Sequence, residues 1–151
     1  NDIVFESKKL AGILIDIQAE ANGLCSAIIG IGINVNMMSD KNLQISQAWT
    51  SMGKMLGCHI DRNEVCVSLI DSLLEYLERF ADTGLTGFTR EWNKVDYLSG
   101  QKITIKTADK KIIGMSDGIN QLGQLMIDLP GGSTKAFSSG DVSVYRKKIK
   151  A

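Results

Sequence analysis

Two runs of β-branched residues, 9–19 and 26–36, are separated only by a short segment that contains Ala21-Asn22-Gly23. The first, Lys-Leu-Ala-Gly-Ile-Leu-Ile-Asp-Ile-Gln-Ala, begins as a continuous apolar run and ends in alternation, as a strand does when it leaves the covered centre of a sheet. The second is Ser-Ala-Ile-Ile-Gly-Ile-Gly-Ile-Asn-Val-Asn, and the Asn-Gly before it favours a hairpin. We therefore predict two strands that pair antiparallel.

A polar loop and a helical segment follow these strands. Residues 37–47 are polar and lack a clear period, which indicates a loop before a short helical piece at 49–56. Asp61 and Glu64 have the spacing of a capping box. Apolar residues then recur at helical spacing: Val65, Leu69, Leu73, Leu77 and Phe80. This pattern predicts a helix that ends near Gly84, followed by a shorter helix at 86–96.

The pattern changes after Gly100, where five short β-branched runs alternate with turns rich in Gly, Asp and Asn. The runs are 102–107, 111–115, 124–129, 133–137 and 141–145. Short strands at this spacing are typical of a small SH3-like β-barrel. The sequence therefore predicts an α+β chain with one domain at residues 1–97 and an SH3-like domain at residues 98–151.

Charge and composition disfavour several classes of protein. Seventeen basic residues balance seventeen acidic ones, so no overall field draws the chain to nucleic acid or to an anionic membrane. The apolar runs are far shorter than the ~20 residues of a membrane span, which indicates a soluble protein. Three cysteines do not make a disulfide framework, so we expect reduced, buried thiols in a cytoplasmic protein. A single histidine, His59, argues against a Ser/His/Asp triad or a multi-histidine metal site.

The strongest candidate site combines glycines and polar residues of the two predicted strands. Lys9 begins the first strand and Gly12 follows it, while the second strand carries Gly30, Gly32 and Asn34. Glycine lets a ligand approach the backbone, and a polar side chain in an apolar run needs a partner if it is buried. Together these residues are a plausible floor for a small, flat ligand. An edge lysine beside a β-bulge is the alternative explanation.

The same residues resemble the motifs of the biotin protein ligases, the bacterial enzymes that attach biotin to carboxylase carrier domains. Asn1-Asp2 is similar to the end of that family's Trp-Pro-Asn-Asp motif. Lys9-Leu-Ala-Gly-Ile-Leu14 and Gly30-Ile-Gly-Ile-Asn34 resemble its Lys-Leu-(Ala/Gly)-Gly-Ile-Leu and Gly-x-Gly-Ile-Asn strands. Order and spacing also agree, and the resemblance covers the whole chain.

The resemblance implies part of a class II synthetase-like mixed sheet with helices, followed by the SH3-like barrel. It also implies a ligase reaction in which biotin and ATP form biotinyl-5′-AMP, from which biotin passes to a lysine of a carrier domain. Because the first step joins two anions, it calls for a fixed cation, and the motif match assigns that role to Lys9. The other implied roles are biotin binding by Lys9, Gly12, Gly30, Gly32 and Ile33, phosphate or Mg²⁺ orientation by Asn34, adenine packing by Trp49, and positioning or deprotonation of the acceptor lysine by Asp2.

The resemblance further implies that an arginine loop and most of the biotin pocket lie upstream of Asn1. We therefore expect the 151-residue fragment alone not to biotinylate and to associate with itself through sheet strands. The expected partner is the biotin carboxyl carrier protein of acetyl-CoA carboxylase, and nucleic acid binding is expected only if an upstream winged helix exists. Two alternatives stay open: a lipoate-type ligase, and a noncatalytic truncated chain that acts as a protein-interaction module.

Overall fold

The structure of the chain, a computed structural model, describes residues 1–19, 25–39, 45, 47–106, 111–138 and 143–146. Contacts between residues divide the chain into two units, Asn1–Asp71 and Ser72–Ala151. The domain boundary expected between residues 97 and 98 stays a prediction.

The first unit contains a three-stranded antiparallel sheet. Its strands are β1 (Asp2–Phe5), β2 (Lys8–Ala19) and β3 (Cys25–Ile33), in the order β1-β2-β3. The predicted antiparallel pair is confirmed as β2 and β3, while the turn expected at residues 21–23 lies outside the described residues. β3 ends three residues before the predicted end at residue 36. The chain turns away there because the carbonyls of Asn34 and Val35 accept backbone hydrogen bonds from Met52 and Gly53.

The tight turn between β1 and β2 was not predicted. Glu6 and Ser7 have φ angles of 47° and 64°, which is the left-handed backbone of a two-residue type I′ hairpin turn. Neither residue is the Asn or Gly that this turn favours, so the sequence gives no sign of a hairpin at this point.

Two helices follow the sheet, α1 (Met52–Leu56) and α2 (Arg62–Thr83). The long predicted helix is confirmed as α2, although the Asp61 carboxylate accepts its cap bond from the N–H of Asn63, at 2.7 Å, rather than from Glu64. The short predicted helix begins at Met52 instead of residue 49, because Ser51 is its N-cap and accepts a hydrogen bond from the N–H of Lys54. No residue of α2 is buried.

In the second unit, the helix predicted at 86–96 is two elements, a 3₁₀ turn at Leu85–Phe88 and α3 (Thr89–Val95). Gly84, with φ of 59°, ends α2 before them. Arg79 of α2 binds Glu91 of α3 at 2.8 Å and also lies over the Phe88 ring, 3.9 Å from its centroid. The Arg79–Glu91 ion pair therefore links α3 to the C-terminal part of α2.

The five strands predicted after Gly100 are confirmed. They form an antiparallel sheet with the order β7-β6-β5-β4-β8, whose strands are β4 (Lys102–Lys106), β5 (Lys111–Ile119), β6 (Leu125–Asp128), β7 (Thr134–Phe137) and β8 (Ser143–Arg146). Its buried core contains Ile103, Ile105, Ile127 and Phe137. The chain therefore contains helices and two separate antiparallel sheets, which is the α+β class that the sequence predicts.

The expectation that the cysteines are buried is wrong. Cys25, Cys58 and Cys66 are free thiols and all three are exposed. Cys25 begins an edge strand, and Cys66 lies on α2, which buries none of its residues. None of the helices in the described part of the chain is both long and apolar enough to cross a lipid bilayer.

Candidate functional site

An ion pair between β1 and β2 marks the candidate site. The strands place Asp2 opposite Gly12 and Val4 opposite Lys9, with a β-bulge between Ile3 and Val4. Across this bulge, Nζ of Lys9 lies 2.7 Å from Oδ1 of Asp2. The two side chains are 35% and 42% exposed, so the pair contributes no more than about 1 kcal/mol to folding. Its main effect is to hold a cation at one place on the sheet.

Glycines form the floor beside this cation. Gly12 is paired with Gly32, and Leu14 with Gly30, so the three glycines occupy neighbouring positions on one face of the β2–β3 pair. A Cβ at Gly12 would lie 3.4 Å from Cε and Nζ of Lys9, whereas one at Gly32 would have no atom within 4 Å. An open cavity of about 460 Å³ lies here, lined in part by Asp2, Lys9, Gly12, Gly30 and Gly32.

The structure thus brings five of the predicted site residues together, but Ile33 is not among them. Ile33 is paired with Ala11 and lines a second cavity, of about 500 Å³, with Val65 and Leu69 of α2. The expected contact of Ile33 with biotin stays a prediction.

Backbone hydrogen bonds attach Trp49 to Lys9. The N–H of Lys9 donates to the carbonyl of Ala48, and the N–H of Thr50 donates to the carbonyl of Lys9, both at 2.9 Å. These bonds form a parallel bridge between Lys9 and Trp49. The backbones of Lys9, the candidate cation, and Trp49, the candidate adenine-packing residue, therefore lie side by side, although the two residues are forty positions apart in the sequence. Most of the loop expected to close over the adenylate lies outside the described residues.

Asn34 reinforces this bridge. Its side-chain Nδ2 donates to the carbonyls of Thr50, at 3.1 Å, and of Lys9, at 3.4 Å. This satisfies the expectation that a polar side chain in an apolar run needs a partner. Because Nδ2 faces two carbonyls, Oδ1 is the atom of this amide that remains for a cation. The phosphate or Mg²⁺ role of Asn34 stays a prediction.

Lys54, which no sequence motif identifies, lies against Trp49. Its Nζ is 3.5 Å from the centroid of the indole ring. The backbone of Lys54 is held by Ser51, which is fully buried and donates its own hydroxyl to the carbonyl of Met37 at 2.7 Å. The position of Lys54 follows from the three-dimensional structure: α1 begins at Met52, after its N-cap Ser51, and its first turn carries Lys54 to the Trp49 ring.

Asn36 holds the segment between α1 and α2. Its Oδ1 accepts from the N–H of Ile60 at 2.9 Å, and its Nδ2 donates to the carbonyl of the same residue at 2.7 Å. Nδ2 also lies 3.2 Å from Nε2 of His59. The single histidine therefore belongs to a structural contact. Within the described ranges, no group of three or more His, Cys, Asp or Glu residues could hold a metal ion.

The chain is similar to known proteins over most of its length. Residues 98–145 match the model of the biotin protein ligase C-terminal domain. The bifunctional ligase/repressor BirA of Escherichia coli is 31% identical over 144 residues, which are 95% of this chain and 44% of that protein. BirA of Bacillus subtilis is 33% identical over 143 residues, 92% of this chain and 43% of that protein. These matches support a fragment from the C-terminal part of a biotin protein ligase. The chain spans less than half the length of these BirA proteins.

Solved structures of biotin protein ligases are also similar to this chain. The apo biotin protein ligase of Aquifex aeolicus has a TM-score of 0.80 and 27% identity, covering 97% of this chain and 63% of that one. The same enzyme in complex with biotin and ATP has a TM-score of 0.80 and 26% identity, covering 97% and 60%. The resemblance and the α+β fold with an SH3-like domain are confirmed.

Proposed function

We propose that this chain provides part of the active site of a biotin protein ligase, which activates biotin with ATP and transfers it to a lysine of a biotin carboxyl carrier domain. One observation carries the proposal: the Lys9 ammonium lies beside a floor of glycines, and the backbone of the same residue is bridged to Trp49. A cation beside an open floor, with an aromatic residue on the neighbouring segment, fits an acyl-adenylate better than either substrate alone.

In the first step an oxygen of the biotin carboxylate bonds to the α-phosphorus of ATP, and the bond to pyrophosphate breaks. Negative charge increases on the phosphoryl oxygens as the two anions approach each other. Lys9 stabilises this charge from a position that is fixed before the substrates bind, which is the most effective form of electrostatic catalysis. Gly12, Gly30 and Gly32 leave room for biotin beside it, and Trp49 packs on the adenine.

In the second step the amine of the acceptor lysine bonds to the carbonyl carbon of the mixed anhydride, and AMP leaves. The amine must lose its proton before or during this attack, and Asp2 is the carboxylate at the site. Asp2 is paired with Lys9 in the structure. Binding of an anion beside Lys9 would weaken that pair and release Asp2 to receive the acceptor.

Two further parts of the proposal rest on chemistry. Mg²⁺ is usually held by one or two protein ligands together with substrate phosphates, so it would enter with ATP, and Asn34 Oδ1 is the ligand atom we assign to it. The acceptor protein is the biotin carboxyl carrier protein of acetyl-CoA carboxylase. The transfer of biotin to this protein takes place in the cytoplasm.

The test is exchange of labelled pyrophosphate into ATP by the complete reading frame that contains this chain, with biotin, with lipoate and with neither. We expect exchange that requires biotin, and a loss of about a hundredfold or more in Lys9→Ala. Lys9→Met should unfold within about 1 kcal/mol of the unsubstituted protein, because the pair is partly exposed. Exchange with lipoate alone would favour the lipoate-type ligase, and no exchange would favour a noncatalytic interaction module.

Activity and assembly of the 151-residue chain can be tested directly. We expect no biotinylation, because the sequence contains no Gly-Arg-Gly-Arg-type loop of the kind that the family uses. We also expect self-association. Among the described strands β3 pairs only with β2, and Ile15, Ile17 and Ile28 of this sheet are each more than half exposed. Turnover by the purified chain, or a strict monomer in light scattering at high concentration, would contradict these expectations.

A further inference from the structure

The indole of Trp49 has a cation on one of its faces. Nζ of Lys54 lies 3.5 Å from the ring centroid, well inside the ~6 Å range over which an ammonium is attracted to an aromatic ring. Within the described part of the chain, the ion pairs are Lys9–Asp2 and Arg79–Glu91, so Lys54 forms none. Its interaction with the protein is therefore directed at the ring.

The backbone that carries Lys54 is fixed independently of this contact. Ser51 caps α1 by accepting from the N–H of Lys54, and Gly53 donates to the carbonyl of Val35 at 2.8 Å. Ser51 is fully buried. Backbone hydrogen bonds on either side of Trp49 and at Lys54 therefore support both ends of the contact.

We propose that Lys54 is a positioning residue for the nucleotide: its contact with one face of Trp49 holds the indole in the orientation in which the adenine packs against it. The inference rests on the proposed function, in which Trp49 packs on that base. A ring held in its bound orientation loses less freedom when the ligand arrives, and such preorganisation raises affinity without adding a contact. Lys54 itself does not touch the reacting atoms.

The inference predicts a selective effect on ATP. In the pyrophosphate exchange assay, Lys54→Met keeps the length and helix propensity of the side chain but removes its charge. We expect the KM for ATP to rise about two- to fivefold, which matches the strength of an exposed cation–π contact. The KM for biotin and the kcat should stay unchanged, and Lys54→Arg should restore the KM for ATP, because a guanidinium also binds an aromatic face.

The matched control is Lys135→Met, which removes a lysine from a different ring, Phe137, whose centroid lies 5.4 Å from Nζ of Lys135. It should leave the KM for ATP unchanged. A second measurement reads the contact itself: with Trp92→Phe, Trp49 is the only tryptophan of this chain, and Lys54→Met should make its fluorescence more accessible to acrylamide.

The outcomes separate the two proposals. If the unsubstituted protein shows no biotin-dependent exchange, the proposed function fails and this inference fails with it. If exchange occurs but Lys54→Met leaves the KM for ATP unchanged, or raises the KM values for ATP and biotin equally, only the inference is overturned. A rise in the KM for ATP that Lys54→Arg does not reverse would also overturn it.

Discussion

Gly12 and Gly32 face each other across β2 and β3, and the space above Gly32 is open: a Cβ there would have no atom within 4 Å. Alanine at this position therefore costs the fold nothing through steric contact, and it removes backbone entropy from the unfolded chain. The same methyl group would occupy the floor on which we place biotin.

We expect Gly32→Ala to unfold at the same temperature as the unsubstituted protein, or slightly higher, while its KM for biotin in pyrophosphate exchange rises about tenfold. Overpacking of a close contact typically costs ~1–3 kcal/mol, which corresponds to that range. The KM for ATP serves as the internal control. An unchanged KM for biotin would show that biotin does not lie over Gly32.

Gly114 is required for a different reason, the close approach of β5 to β6. A Cβ at this position would lie 2.4 Å from both the carbonyl oxygen of Asp128 and Cγ2 of Ile127. Because one of these atoms belongs to the backbone, the strands must move apart to accept a methyl group. We expect Gly114→Ala to lower the free energy of unfolding by ~1–3 kcal/mol or more in urea denaturation.

Ser116, two residues further along β5, provides the control for Gly114. Its Oγ is buried and has no hydrogen-bond partner in the described part of the chain. Serine to alanine replaces the buried, unpaired hydroxyl by a hydrogen atom and removes its desolvation penalty, so Ser116→Ala should be neutral or stabilising. If Gly114→Ala were equally neutral, the close approach of the strands would not constrain this position.

The sequence predicts the strands of the site better than its connections. β2, β3 and α2 carry patterns of period 2 or 3.6 over many residues, and all three are present. The turn at Glu6 and Ser7 lacks Asn or Gly, so its positive φ angles depend on the pairing of β1 with β2. The intrinsic turn propensities of Glu and Ser cannot reveal positive φ angles that depend on strand pairing.

Within the candidate site, the sequence motifs identify Lys9, Asp2 and the glycines, which the structure brings together around one cavity. Lys54 could not be predicted, because its contact with Trp49 depends on where α1 begins. The structural role of Asn36 was missed for a related reason. A side chain that binds both backbone groups of a distant residue has no signature in a single sequence.

Asn36 provides a test of that structural role. Its amide binds the N–H and the carbonyl of Ile60, so alanine at position 36 would leave both groups without this partner. Each unsatisfied buried group costs ~1–3 kcal/mol, and because this contact is only partly buried we expect the lower end of that range for Asn36→Ala in urea denaturation. Asn36→Asp keeps the oxygen that accepts from the N–H of Ile60 but places its second oxygen beside the Ile60 carbonyl, so we expect it to recover only part of this loss. Equal losses in the two variants would show that the N–H of Ile60 does not depend on Asn36.

The Arg79–Glu91 pair makes the attachment of α3 to α2 dependent on pH. The hydrogen bond from Arg79 lowers the pKa of Glu91 below its usual value, despite opposition from burial, and the same bond raises the pKa of Arg79. A carboxyl whose pKa is lower in the folded state stabilises the fold above its unfolded pKa, about 4.3, and loses that contribution as pH falls through the folded value. Arg79 remains charged throughout this range.

We therefore expect the melting temperature of the unsubstituted chain to exceed that of Glu91→Gln by a constant amount at neutral pH, and the difference to shrink below about pH 5. Thermal unfolding followed by circular dichroism at a series of pH values measures this. In an Arg79→Met background the pH-dependent part of the Glu91→Gln difference should disappear, because the cation that lowers the pKa is gone. A difference that stays constant down to about pH 3, or that persists without Arg79, would mean that Glu91 stabilises α3 by packing rather than by its charge.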